Sequence, residues 1–339
     1  MKVLVTGAQK APAIERYYVD HFRELGVTTQ HYAAQNVFFD YYEKNIFNKV
    51  AFKSGFSPIY HKINKEFREL IESFRPDLIW IFKGMEIFPS SLEWARDKGI
   101  RLVNYNTDNP FLFSGKGSGN KNVVDSLGFY DLHLTYDRGI RERFRDEYGL
   151  RCELLPFGFE ESEELYAKCC KMPEKEAVCF VGSSDKDRVA FLEAIAVELP
   201  LTVYGSGWDQ AIRSDNITVH GPVHGEAFWT TLHQYRVQLN YMRPHNPDSH
   251  NMRSFEVPGI GGIMLAPATT DHKEYFRPDQ EVFLYTDIQD CIRRARDLLS
   301  LTTEQALEIR ESVRNRSIAS GYSYLDRARL ALKWFDTIL

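Results

Sequence analysis

The segment Asn251-Met252-Arg253-Ser254-Phe255-Glu256-Val257-Pro258-Gly259-Ile260-Gly261-Gly262-Ile263-Met264-Leu265-Ala266-Pro267 joins a polar, charged turn to an apolar run. An Arg and a Glu stand three residues apart, just ahead of a Gly-rich turn. The short apolar run that follows, Ile263 to Leu265, reads as a parallel strand buried on both faces. If Arg253 to Ile260 form a short helix, Arg253 and Glu256 share a face, because i and i+3 are neighbours. Pro258 keeps that helix short or bent, since an interior proline removes a backbone hydrogen bond. Gly259, Gly261 and Gly262 admit positive φ and let another group approach the backbone. Backbone N–H groups at such a turn, or at a helix N-terminus, form an anion site. The plain reading of the same residues is a cap, a glycine turn and a core strand.

Working outward, the strand-then-turn pattern repeats. Ala177 to Val181 runs into Gly182-Ser183-Ser184, and Leu201 to Tyr204 into Gly205-Ser206-Gly207-Trp208. Ile217 to His220 runs into Gly221-Pro222, and Val237 to Asn240 into a loop, Tyr241 to His250. Helical patterns at Arg188–Leu199 and Glu226–Tyr235 lie between these strands. A late strand, Glu281 to Tyr285, precedes three closing helices at about 287–299, 302–317 and 323–338. Strands alternating with helices predict a parallel sheet.

The first half has the same alternation. The strands are Lys2–Thr6, Val27–Tyr32, Asp77–Phe82, Ile100–Tyr105, Asp131–Thr135 and Arg151–Leu155. Helices are expected from Pro12 to Leu25, with Pro12 suited to the first turn, and over Ile59–Phe74, Ser90–Lys98 and Asp137–Tyr148. Residues 37–57 are aromatic and take no assignment. The long loop Asn106 to Asn120, with NTDNPF and SGKGSGN, has the length of a functional or mobile loop. The expected organisation is a first domain at 1–156, a connector at 157–175, a second domain at 176–322 and a closing segment at 323–339. The acidic run at Glu160, Glu161, Glu163 and Glu164 in the connector reads as a solvated helix face.

Composition narrows the function classes. The 339 residues suit two domains, with 43% hydrophobic and 26% charged residues, ordinary for a globular protein. The net charge of −5 argues against a nucleic-acid partner, which selects a basic face. Five cysteines in no zinc-like spacing fit a reducing, cytoplasmic setting. The N-terminal apolar run is too short for a signal peptide, and no stretch approaches the ~20 apolar residues of a membrane span. The aromatic and basic stretch from Phe47 to Phe56 leaves peripheral membrane association open.

Four strand ends in the second half converge on small or polar residues: Gly182-Ser183, Tyr204-Gly205, His220-Gly221 and Asn251 to Gly262. Ligands of open α/β sheets bind at such ends. The combination CFVGSSDKDRVAFL, LTVYGSGW, HGPV and HNMRSFEVPGIGGIMLAP resembles the donor domain of GT-B glycosyltransferases. It is most similar to the CgeB-like (spore maturation protein-like) branch of the family-4-type enzymes. The resemblance covers residues 175–320 well. Over 1–155 it holds only in organisation, apart from NTDNP at 106–110, which resembles an Asp-Pro loop of that branch.

The resemblance implies an α/β fold of two Rossmann-like domains facing across a cleft, with the last helix crossing back to the first domain. It implies transfer of a sugar from a nucleotide-diphosphate sugar to a glycan, glycolipid or protein acceptor. It further implies retention of configuration, with neither a metal nor another cofactor required. Glu256 would be the donor-site carboxylate, with Arg253 near the diphosphate and Gly261 and Gly262 giving it backbone amides. Asn251 would belong to the same donor site. Gly182 and Ser183 would form the phosphate-facing loop, with Arg188 one turn on. Tyr204, Gly205 and Trp208 would flank the nucleotide, and His220 to Val223 would line the base pocket. Enzymes of this type often carry a second Glu eight positions after the first, but here that position is Met264.

Other candidates stand beside these. Asp185-Lys186-Asp187 matches a metal-binding DxD, but helix capping explains it more simply. His220, His224, His233, His245 and His250 crowd one region without a zinc pattern. Asp108 is the acid/base candidate of the first half, with an Asx-turn as its plain role. Lys83 and Glu86 follow a buried strand and could face a ligand. Two alternative functions fit the same sequence. One is a nucleotide-sugar epimerase, which needs acid/base carboxylates. The other is a non-catalytic sugar-binding protein.

Overall fold

The computed structural model describes residues 1–10, 13–112, 119–243 and 248–339. The chain divides into two compact units, Met1–Pro156 with Tyr324–Leu339, and Phe157–Ser323.

The first unit is built on β1 (Lys2–Thr6), β2 (Thr28–Tyr32), β3 (Leu78–Phe82), β4 (Arg101–Asn106), β5 (Leu132–Thr135) and β6 (Cys152–Leu154). All pairings are parallel, in the order β2-β1-β3-β4-β5-β6. β3 reads LIWIF and is buried at every position, as a strand covered by helices on both faces must be. The helix Ile59–Phe74 turns Ile59, Ile63, Phe67 and Ile71 inward, a spacing of four that keeps one stripe apolar. That stripe packs with Leu4, Ile79, Ile81 and Leu102 of the sheet. The closing helix Tyr324–Phe335 belongs to this unit. Its Tyr324 stacks on Tyr17 at 5.0 Å and its Phe335 meets Trp80 edge-on at 5.3 Å. The first helix is described over Glu15–Glu24, and its expected start at Pro12 lies outside the described residues. The unassigned aromatic stretch forms two helices, Ala34–Glu43 and Ile46–Lys53. Of the loop at 106–120, residues 113–118 lie outside the described residues. Asn120 caps a short helix, Lys121–Asp125, that the pattern did not suggest.

The second unit contains β7 (Lys175–Val181), β8 (Leu201–Tyr204), β9 (Ile217–His220), β10 (Tyr235–Leu239), β11 (Met264–Pro267) and β12 (Phe283–Tyr285). These are again all parallel, ordered β12-β11-β10-β7-β8-β9. Val178, Val203, Val237 and Leu265 of the sheet share a core with Leu192, Ile195, Ile292 and Leu298 of the covering helices. The chain lays down β7, β8 and β9 in one direction, then returns to β10 on the other side of β7. Strand order thus reverses between β7 and β10, and in the first unit between β1 and β3. Such reversals leave a crevice at the carboxyl ends of the strands.

Residues 157–175 are not a free connector. They belong to the second unit and carry a helix, Glu163–Cys169. Glu161 is not on a solvated face, for it pairs at 2.5 Å with the buried Arg314. Phe159 packs its ring where a Cβ on Gly259 would stand. The chain returns to the first unit between Ser323 and Tyr324.

Candidate functional site

The reversal between β7 and β10 gathers one charged group of the second unit, Asp185, Arg188, Arg243, Arg253 and Glu256. The loop after β7 leads to Asp185, which caps the helix Lys186–Ala196 by accepting the Arg188 amide at 2.9 Å. The second carboxylate oxygen of Asp185 lies 3.5 Å from Arg188 Nε and 3.4 Å from Arg243 Nε. Arg188 donates to the Ser183 carbonyl at 2.9 Å. After β10 the chain supplies Arg243 and then the helix Arg253–Gly259. Arg253 lays its guanidinium over the Phe228 ring at 4.5 Å and donates Nε to the Val181 carbonyl at 3.1 Å. Its NH1 pairs with Glu256.

The electrostatics of this group are distinctive. Burial pushes Arg188 down to about 10, helped by the Arg243 and Arg253 charges and opposed by Asp185. Arg243 and Arg253 both lie within electrostatic reach of Arg188 and repel it, and an anion beside Arg188 relieves that repulsion. Burial also raises the Glu256 carboxyl above its ordinary range, against the pull of Arg253. Arg243 was not anticipated. It sits in the loop after β10, and its only signal was a basic residue at the carboxyl end of a strand beside the reversal.

Behind the arginines stands a buried polar scaffold. His272 Nδ1 donates to the Pro267 carbonyl at 2.8 Å, so its Nε2 accepts from the Ser254 hydroxyl at 2.8 Å. Burial lowers His272 to about 4, so the ring is neutral at pH 7. His250 accepts the Phe157 amide at Nε2, 3.3 Å away, and donates from Nδ1 to Asp271 at 2.6 Å. His233 is pushed down to about 3, chiefly by burial and then by Arg310. His250, His272 and His233 are thus structural. His245 lies outside the described residues. Among the described residues there is no group of three or more His, Cys, Asp or Glu suited to a metal ion.

Several expected site residues take other roles. Gly261 and Gly262 do not offer amides to a ligand. Their N–H groups close the end of the helix, onto Pro258 O at 3.0 Å and Val257 O at 2.8 Å. A seven-residue helix advances about 10 Å, which carries these glycines to the opposite end of the sheet from Arg253. Trp208 does not flank a nucleotide, because it is wholly buried and donates Nε1 to the Gly182 carbonyl at 2.7 Å. Gly205 is needed for close packing: a Cβ there would stand 2.0 Å from that same carbonyl. Asn251 spends its side chain internally, donating to Asn240 at 2.8 Å and accepting the Ser254 amide at 3.2 Å. Tyr204 stacks on His220 at 4.6 Å, leaving His220 exposed at the strand end with Val223 beyond it. Ser183 is exposed in the loop after β7 and accepts the Ser206 hydroxyl at 3.0 Å.

The first unit has its own charged group at the reversal between β1 and β3. Lys83, at φ 57°, sits in the left-handed region that a non-glycine residue rarely adopts. Its ammonium pairs with Asp108 at 2.6 Å. The Asp108 amide donates to Asn106 Oδ1 at 3.0 Å, so the Asx-turn here is made by the Asn106 side chain and not by Asp108 as expected. Glu86 is buried, which pushes its carboxyl up to about 7, with Lys83 opposing and Glu15 adding to the rise. Glu15 is buried beside Gly7 and accepts the Ala8 amide at 2.9 Å. It carried no signal beyond its place in the first helix.

Two parallel six-stranded α/β units of this kind define the GT-B fold. Solved structures share it along nearly the whole chain. Sucrose-phosphate synthase from Thermosynechococcus elongatus covers 99% of this chain and 98% of its own, with TM-score 0.68 and 11% identity. A UDP-forming α,α-trehalose-phosphate synthase from Burkholderia xenovorans covers 98% of each chain, with TM-score 0.65 and 11% identity. UDP-GlcNAc 2-epimerase from Neisseria meningitidis, bound to UDP-GlcNAc, covers 99% of this chain and 100% of its own, with TM-score 0.58 and 11% identity. Residues 188–333 match the model of a family described as glycosyl transferase-like. No curated protein sequence matches the chain.

Proposed function

We propose that the chain is a glycosyltransferase that moves a sugar from a nucleotide-diphosphate sugar to a hydroxyl-bearing acceptor. The observation that carries this reading is the convergence of Arg188, Arg243 and Arg253 at the strand reversal of the second unit. A diphosphate leaving group develops negative charge as the glycosidic bond breaks. Preorganised guanidiniums stabilise that charge without reorganising during the reaction. In this reading Gly182 and Ser183 face the phosphates, and His220 and Val223 border the nucleoside. Glu256 orients the donor's hydroxyls and holds Arg253, and no metal is required. The family model over 188–333 supports the same reading, since it includes all three arginines and Glu256. Retention of configuration and membership of the CgeB-like branch rest on the sequence resemblance. Five free cysteines fit a cytoplasmic setting. The first unit would hold the acceptor, with the Lys83–Asp108 pair at its strand ends.

The buried carboxyls Glu15 and Glu86 favour one second reading, epimerisation of the nucleotide sugar, which uses acid–base groups. A nucleotide-release assay over UDP-, GDP-, ADP- and TDP-sugars, with and without sugar acceptors, separates the two. Transfer predicts nucleotide release that rises with acceptor. An isomerised nucleotide sugar formed without acceptor supports the epimerase, and no turnover with any donor overturns both.

A further inference from the structure

We infer that the helix Ile46–Lys53 and the turn after it dock the first unit on an anionic lipid surface. This helix buries none of its residues. Ile46 is 65% exposed, Phe47 79%, Val50 57%, and Phe56 beyond the helix 86%. Phe56 is not on a loose strand, because its amide donates to the Ala51 carbonyl at 3.0 Å. At ~100° per residue, Ile46, Val50 and Phe47 fall within an arc of about 100°. Lys49 and Lys53 border that arc on one side. On the opposite face Phe52 anchors the helix, packing on Phe38 at 4.8 Å and Tyr60 at 5.5 Å. An apolar stripe edged by lysines, on a helix held from behind, is the layout of an element lying in a membrane interface.

Charge selects the occupant. From Lys44 to Lys65 the chain has five lysines and no Asp or Glu, although its net charge is −5. Lys62 and Lys65 pair with Glu66 and Glu69. Lys44, Lys49 and Lys53 form no ion pair among the described residues. On the preceding helix Asp40 is paired with Lys10, which leaves Glu43 as the nearby acid. Lysine stems cover apolar surface while their ammonium groups reach lipid phosphates. Among the described residues no helix is long and apolar enough to cross a membrane, so the contact is peripheral. The inference does not depend on the glycosyl-transfer reading.

The test is co-sedimentation of the full chain with phosphatidylcholine vesicles, with and without phosphatidylglycerol. Binding is expected only with the anionic lipid, and is weakened by salt. The double variant Phe47→Ser/Phe56→Ser should lose at least about tenfold in partitioning while keeping its circular dichroism and melting temperature, because both side chains are exposed. A wild-type chain that stays in the supernatant with both vesicles overturns the inference, as does a double variant that binds like wild type. So does a wild-type dimer that the double variant converts to monomer, since the patch would then cover a second copy.

Discussion

Arg253 and Glu256 form an ion pair across one turn of a helix whose first residue also reaches back to the Val181 carbonyl, 3.1 Å away. The pair therefore ties the end of β7 to the segment between β10 and β11. Glu256 is buried and Arg253 only partly so. Replacing Glu256 by Ala or Gln leaves the guanidinium with its carbonyl and ring contacts but frees it to turn. We expect turnover to fall by about a hundredfold or more, the scale of losing a preorganised charge contact. Stability should fall by only about 1–3 kcal/mol. Steady-state kinetics beside urea unfolding checks both. Unchanged turnover removes Glu256 from the mechanism.

Arg243 gives a cleaner test of the anion site, since its side chain is 46% exposed and holds little of the fold. Arg243→Ala should weaken nucleoside diphosphate binding by about tenfold, the loss of roughly one charge-assisted contact. The melting temperature should hardly move. Calorimetric titration at two salt concentrations reads the change, and equal affinity in variant and wild type would place the diphosphate elsewhere.

Gly262→Ala separates packing from ligand contact. The added Cβ would lie 2.8 Å from the Leu232 carbonyl and 2.8 Å from Val257 Cγ1. Relief of such overlap costs about 1–3 kcal/mol. Denaturant midpoints should fall by that amount while the donor KM stays at its wild-type value. A raised KM without loss of stability would restore the glycine to the diphosphate site.

Glu86 predicts a pH dependence of stability. Its folded carboxyl titrates at about 7 against an ordinary 4.5, so between these values the folded state keeps a proton that the unfolded chain releases. Stability should therefore fall as pH rises from about 4.5 to about 7 and level off above, by about 3 kcal/mol in all. Glu86→Gln removes this contribution. The variant should gain stability relative to wild type as pH rises through that window, and unfolding curves at pH 5, 6, 7 and 8 follow the difference. Parallel curves for the two proteins would show that Glu86 is ionised throughout.

Much of the fold is legible in the residues because parallel strands are marked by short apolar runs that end at glycine or a polar turn. LIWIF at β3 and LTVY at β8 needed no context. The helix pair at 34–53 was not legible, since its aromatic residues point to both solvent and interior and blur the period of four. At the site, the i, i+3 relation of Arg253 and Glu256 could be read directly. The glycines after them could not, because adjacency along the chain hides the length of helix between them. Trp208 is ambiguous in sequence for a different reason. Its size suits a stacking platform and a core equally, and only the packing around Gly182 decides. Arg243 stands in a loop whose sequence carries no pattern, so its role appears only when the strand order brings it to Asp185.

The closing helix leaves a mark on how the molecule comes into being. Tyr324 and Phe335 complete the aromatic stack around Tyr17, Phe22 and Trp80, yet they are synthesised after every residue of the second unit. The earliest portion of the nascent polypeptide therefore keeps part of its interior uncovered until the whole of the second unit has been synthesised.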